Sequence, residues 1–274
     1  MEEVLQHPAV QSAVLPFVVA LALSAVLFRT RLLGAAIIAG FLCAAGLTVG
    51  FGFESLTSVR KLVLVAGVSA VVAAVLEPLA IRNRRAFLGA VAAFTVLAVI
   101  WVLQRLLMQA TPASAVLTGA VSISYCFALL WGADHAGHEP VAAASSSLVI
   151  GLACGALALL GASAQLAQLG IALGAGAGAV LLVLMMAGAR APGGSTLGLA
   201  AHLAAGVLGL LAVMTGSLAW YCLLPVPLIP WLATVAIRAV RLAWQRAALS
   251  SLSALVPAAA AVAIAWFTAG HAGA

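Results

Sequence analysis

Trp131-Gly132-Ala133-Asp134-His135-Ala136-Gly137-His138-Glu139-Pro140 stands near the middle of a chain that otherwise avoids charge. The stretch holds two of the six acidic residues and two of the five histidines, and long hydrophobic segments flank it on both sides. Read as a connection between two membrane spans, it decides the fold: an all-α, polytopic integral membrane helix bundle. The rest of the composition agrees. Of 274 residues, 66% are hydrophobic and 7% are charged, and the mean hydropathy is +1.26. An ordinary soluble domain carries about 25% charged residues. A chain this apolar has too little polar surface to cover its own core, so its solvent is the lipid bilayer.

The net charge of +6 is not a nucleic-acid footprint, because the basic residues come in small clusters between hydrophobic runs and not along one face. Such clusters are what membrane orientation signals look like. Cys43, Cys126, Cys154 and Cys222 each stand alone inside a hydrophobic run. With no C-x-x-C spacing, neither a zinc ribbon nor a redox pair is expected. The start of the chain is acidic, with Glu2 and Glu3, and lacks the basic region of a secretory signal, so the first apolar segment reads as a retained span.

A span needs about 20 apolar residues. That criterion predicts about ten transmembrane helices, near residues 10–28, 32–52, 62–81, 86–104, 113–131, 145–163, 166–187, 196–215, 218–237 and 248–268. Helix is the expected form, since backbone groups in lipid must be satisfied within the segment and the alternation of a β-barrel strand is absent. The ninth segment is the doubtful one. Pro225, Pro227 and Pro230 remove backbone donors there, so a kinked, interrupted or re-entrant segment is expected.

Counting connections from the N-terminus, the odd ones carry Arg29, Arg31, Arg82, Arg84, Arg85, Arg190, Arg238, Arg241 and Arg246, and the even ones only Arg60, Lys61 and Arg105. The rule that Lys and Arg stay cytoplasmic puts the odd connections inside and both termini on the non-cytoplasmic side of a plasma or bacterial inner membrane. The central loop then lies inside, though it alone among the odd connections carries no Lys or Arg. The chain reads as one transmembrane domain with halves 10–131 and 145–268 joined by the loop 132–144. Five spans per half would make the halves inverted relative to each other, an architecture that recurs in secondary transporters.

Few residues can carry chemistry. In the central loop, Asp134 with His138 and His135 with Glu139 are spaced four apart, but Gly132, Gly137 and Pro140 argue against regular helix, and a solvated turn is the plain expectation. Histidine beside carboxylate makes proton handling or gating the functional alternative and metal binding the lesser one. His202 lies about seven residues into the eighth span, between Gly198 and Gly206, and an ionisable group at that depth is a functional-site hypothesis by default. Ser114, Thr118, Ser122 and Tyr125 share one face of the fifth span and are expected to turn inward, lining a substrate or proton pathway or bonding to neighbouring helices. Gly170, Gly174 and Gly178 form a small-xxx-small row for close helix packing, within the chain or against a second copy or a partner subunit. Glu77, before Pro78, is expected to pair with its sequence neighbours Arg82, Arg84 or Arg85, and Glu54 with Arg60 to anchor or gate a loop on the opposite face.

No P-loop, H-E-x-x-H or G-x-S-x-G motif is present, and nothing in the sequence calls for a cofactor or a resident metal. The reading that fits these features is a small-molecule or ion transporter with a site in the bundle near His202. A non-catalytic membrane subunit or scaffold is the second reading, and a membrane-embedded enzyme or redox anchor the third.

Overall fold

The computed structural model describes residues 7–50, 56–161, 163–187, 196–216, 218–235, 240 and 242–271. Glu2, Glu3, Glu54, Arg190, Arg238 and Arg241 lie outside the described residues. Every regular element among the described residues is helical: α1 (Val10–Leu27), α2 (Leu33–Thr48), α3 (Ser58–Arg82), α4 (Arg84–Gln109), α5 (Pro112–Ala136), α6 (Pro140–Leu160), α7 (Ala164–Met186), α8 (Thr196–Thr215), α9 (Ile229–Val235) and α10 (Ala243–His271). The chain is a multi-pass helical membrane bundle.

Helix boundaries follow from local chemistry. The Thr57 hydroxyl accepts from the Arg60 amide at the start of α3, and the Ser163 hydroxyl accepts from Leu166 at the start of α7. Asn83 does double duty between α3 and α4. Its amide donates to the Leu79 carbonyl, closing one helix, while its side-chain oxygen accepts from Ala86, opening the next. Pro112 and Pro140 begin α5 and α6, where a missing amide hydrogen costs nothing.

Eight of these helices are long and apolar enough to cross a membrane. The second and ninth segments depart from the expected ten. α2 stops at Thr48 because Gly50 adopts φ of +73°, a left-handed conformation that ends a helix. Its 16 residues span only about 24 Å. The ninth segment is two short 3₁₀ turns, Trp220–Leu223 and Val226–Leu228, followed by the seven-residue α9. The three prolines remove the donors that a continuous helix needs. This irregular backbone is tolerated because protein surrounds it: Cys222, Val226, Ile229 and Ala233 are buried. Two carbonyls near the end of α9, Leu232 and Ala233, accept from Ser253 and Ser250 of α10 at 2.8 and 2.7 Å.

α6, α7 and α8 form the centre. α6 packs along α7, α8 and α10, and α8 also packs against α2, α3 and α5. α1 and α2 pack on each other and on α7, and α4 lies outside against α3 and α5. Large apolar side chains such as Val71, Val75, Leu97 and Val256 cover the outer surface, as lipid requires.

The glycine row of α7 faces inward. Gly151 and Gly155 of α6 meet Gly170 and Gly174 of α7 backbone to backbone: a Cβ on Gly151 would lie 2.6 Å from the Gly174 nitrogen, and one on Gly170 would lie 2.6 Å from the Gly155 nitrogen. α6 of the same chain therefore occupies Gly170 and Gly174, so these two glycines serve packing within the chain. Gly178 is looser, 3.7 Å from a Leu148 methyl. Gly170→Val should lower the unfolding free energy by about 3 kcal/mol, while Gly178→Val should cost less than about 1 kcal/mol. Detergent unfolding titrations check this; equal losses would mean that the α6–α7 contact does not set the stability.

Candidate functional site

The polar residues gather at three depths. At one end of the bundle, the odd connections meet and exchange charge. Arg84 at the start of α4 donates to the Asp134 carboxylate at 2.6 Å, Arg31 donates to Glu77 at 3.1 Å, and Arg246 lies 3.7 Å from Glu139. These contacts also correct the picture of the central loop. α5 runs on through Ala136 and α6 starts at Pro140, so only Gly137, His138 and Glu139 connect them. Gly132 is not a break in the helix but a packing position, where a side chain would strike the Pro230 ring. Asp134 is not solvated: it is 5% exposed and paired. The connection lacks arginines because its carboxylates receive those of other connections.

His138 extends this network. Its Nδ1 lies 3.0 Å from the Asp134 carbonyl and 3.2 Å from that of His135, and its Nε2 lies 3.3 Å from Arg84 Nη1. The neutral tautomer with hydrogen on Nδ1 satisfies both sides, donating to the carbonyls and accepting from the guanidinium. His135 is exposed and points elsewhere, stacked on Trp231 at 4.5 Å. The loop residues thus separate into an ion-pair cluster (Asp134, His138, Glu139) and an aromatic contact. Glu77 has one oxygen on Arg31, while Oε2 is buried without a partner.

Deeper in, His202 is fully buried on α8. Its Nδ1 donates to the Gly198 carbonyl at 2.7 Å, one turn back on its own helix. Nε2 has no partner. Ser147 of α6 stands across from Gly198, its hydroxyl committed to the Ala143 carbonyl at 2.8 Å. His202 lines neither the cavity beside Tyr125, nor the small one beside Arg31, nor the one beside Lys61.

Toward the opposite end, a cavity of about 530 Å³ opens between α5, α8 and the 3₁₀ turn at Trp220. Thr118, Ser122 and Tyr125 face it from α5, and Leu210, Val213 and Met214 from α8. Leu117, Val121, Trp220 and Leu224 rim it and are exposed, so the opening is sideways, toward lipid. The Ser122 hydroxyl and the Tyr125 phenol are buried and unpartnered. The phenol reaches past the cavity toward Gly209 and Cys154: a Cβ on Gly209 would lie 3.2 Å from it and 3.4 Å from the Cys154 sulfur. Ser114 is not part of this wall. It is exposed at the start of α5 and bonded to Thr111 at 2.8 Å.

The structure therefore brings Thr118, Ser122 and Tyr125 together and holds His202 apart from them. Leu210 of the cavity is eight residues beyond His202, about 12 Å along the helix. Ser122 and Tyr125 on α5, Ser145 on α6 and His202 on α8 each bury a polar atom without a partner, and these three helices pack on one another. Buried Ser145, Ser146 and Ser147 were not singled out by the sequence reading, although three consecutive serines in an apolar run were a visible signal. No group of three His, Cys, Asp or Glu side chains comes together among the described residues.

Set against known proteins, the chain matches no family model, no curated sequence and no solved structure. Its chemistry has to be argued from this geometry.

Because His202 Nε2 is unpartnered, the side chain contributes volume more than bonding. His202→Leu should stay within about 1 kcal/mol of the parent, whereas His202→Ala opens a cavity and should cost about 2–3 kcal/mol. Thermal unfolding in detergent measures both; a large loss in His202→Leu would show that an imidazole bond holds the bundle.

Proposed function

We propose that this chain is a permease for small amphipathic molecules, with its substrate site in the lateral cavity between α5, α8 and the broken ninth segment. The observation that carries the reading is the cavity itself: about 530 Å³ of mostly apolar wall, with Thr118, Ser122 and Tyr125 along one side, the last two carrying unpartnered hydroxyls buried behind the wall. Ligand sites are concave and largely apolar, with a few polar groups that fix orientation. Buried hydroxyls without partners are costly in lipid, and a ligand that supplies hydrogen bonds removes that cost.

Two further features support movement over storage. The wall next to the cavity is a proline-broken segment, and interrupted helices line transporter sites. The unpaired polar atoms of Ser122, Tyr125, Ser145 and His202 continue inward from the cavity toward the end where Arg84–Asp134, Arg31–Glu77 and Arg246–Glu139 hold helices together. In this reading the cavity is the open side of the pathway and the ion-paired end is the closed side. We assign the closed side to the cytoplasm from the excess of arginine in the odd connections, which leaves both termini outside.

Val121 sits on the cavity rim, while Val71 on α3 faces lipid away from it. In proteoliposomes, flux of a dansyl-labelled undecanoate, an apolar chain with one polar end, should be protein-dependent and saturable. Val121→Trp should lower it about fivefold, equivalent to roughly 1 kcal/mol, and Val71→Trp should leave it unchanged. Equal flux in the two variants would exclude the cavity as the route.

A further inference from the structure

A second pocket, of about 500 Å³, lies at the end of the bundle opposite the ion pairs, between the start of α3 and the end of α4. Lys61, Trp101, Gln104 and Arg105 form its polar side, with Leu56 and Met108 at its edge. Among the described residues its charge is unbalanced. The Lys61 ammonium lies 3.0 Å from the Trp101 carbonyl, 3.4 Å from Gln104 Oε1 and 5.5 Å from the centre of the Trp101 ring, all neutral partners. Arg105 has no hydrogen bond or ion pair among the described residues. The described carboxylates, Glu77, Asp134 and Glu139, are all at the far end of the bundle.

The direction of Lys61 adds to this. A lysine near a helix end in lipid ordinarily extends its ammonium outward to water. Here it is turned toward Trp101, eight residues before the last residue of α4 and so about 12 Å along that helix. The result is two cations around a pocket completed by Gln104 and Gln109 and by the exposed apolar side chains of Met108, Leu56 and Trp101.

We propose that this pocket binds a phosphate-type anion, either the headgroup of an anionic phospholipid or free phosphate, between Lys61 and Arg105. Phosphate oxygens accept charge-assisted hydrogen bonds from both side chains. The apolar rim suits the glycerol and first methylenes of a lipid, and a free anion would use the same two cations. The site is independent of the lateral cavity: it uses different helices and no residue in common.

The test uses the purified full chain in a neutral detergent. Native mass spectrometry compares retention of phosphatidylglycerol with that of phosphatidylcholine, and equilibrium dialysis measures radiolabelled inorganic phosphate. Selective retention of phosphatidylglycerol that inorganic phosphate fails to displace assigns the site to lipid. Saturable phosphate binding without lipid selectivity assigns it to the free anion. Under either assignment, Lys61→Gln and Arg105→Gln should each weaken binding about tenfold, the loss expected for one charge-assisted contact, and Lys61→Arg should keep it. Arg105 is exposed and has no partner among the described residues, so Arg105→Gln should fold normally and stands as the deciding variant even if Lys61→Gln reduces yield. Binding of neither anion, or unchanged binding in folded Arg105→Gln, overturns the proposal.

Discussion

The close approach of α6 to α7 is the contact on which the rest of the bundle depends. In lipid, apolar side chains gain nothing by leaving their surroundings for one another, so helices associate through close packing and a few polar contacts. Gly151 and Gly155 against Gly170 and Gly174 let two backbones touch directly. With α7 held there, α1 and α2 pack on its other side, and α6 keeps its remaining faces for α8 and α10. α8 is thereby the most enclosed of the long helices. Its burial is what places His202 out of reach of water and leaves only its far end, Leu210 to Met214, open to the lateral cavity.

The same constraint explains how a proline-broken segment can sit beside that cavity. Backbone carbonyls that lose their helical donors must be satisfied by something other than water. Ser250 and Ser253 of α10 do this for Ala233 and Leu232, and Pro230 rests on Gly132 of α5. The segment is thus fixed at its inner half by α5 and α10, while Trp220 and Leu224 at its outer half remain exposed and form the cavity rim. Polar satisfaction is uneven across the molecule. Near the ion-paired end the described carboxylates Glu77, Asp134 and Glu139 each have an arginine, while along the α5–α8 contact the Ser122, Tyr125 and His202 atoms have no partner.

Membrane residence and most of the helices were legible in the sequence because hydrophobic length is a local property. The failures have specific physical causes. Residues 49–52 continue the apolar run of the second span, yet α2 has already ended, because hydropathy does not register the positive φ of Gly50. Gly132 resembled a helix breaker, but its missing side chain makes room for Pro230, which is 98 residues away in sequence. Asp134 resembled a solvated loop residue because its partner, Arg84, is 50 residues upstream. The spacing of Gly170 and Gly174 announced a close helix contact, but its partner, Gly151 and Gly155 of α6, is set only by the fold. The hydroxyl face of α5 places Thr118, Ser122 and Tyr125 at one cavity, with Ser114 outside it. Its separation from His202 depends on the register of α5 against α8, which no periodicity in either helix encodes.

The central claim is that the cavity between α5, α8 and the Trp220 turn is where a ligand resides. The most direct measurement is photolabelling of the chain in nanodiscs with a diazirine-bearing fatty acid, mapped by mass spectrometry. Val71, Val75 and Leu97 serve as purely lipid-facing references. The account predicts labelling concentrated at Leu117, Val121, Trp220 and Leu224, and displaced by excess unlabelled fatty acid. Labelling spread evenly over all lipid-facing helices, undiminished by competitor, would contradict it.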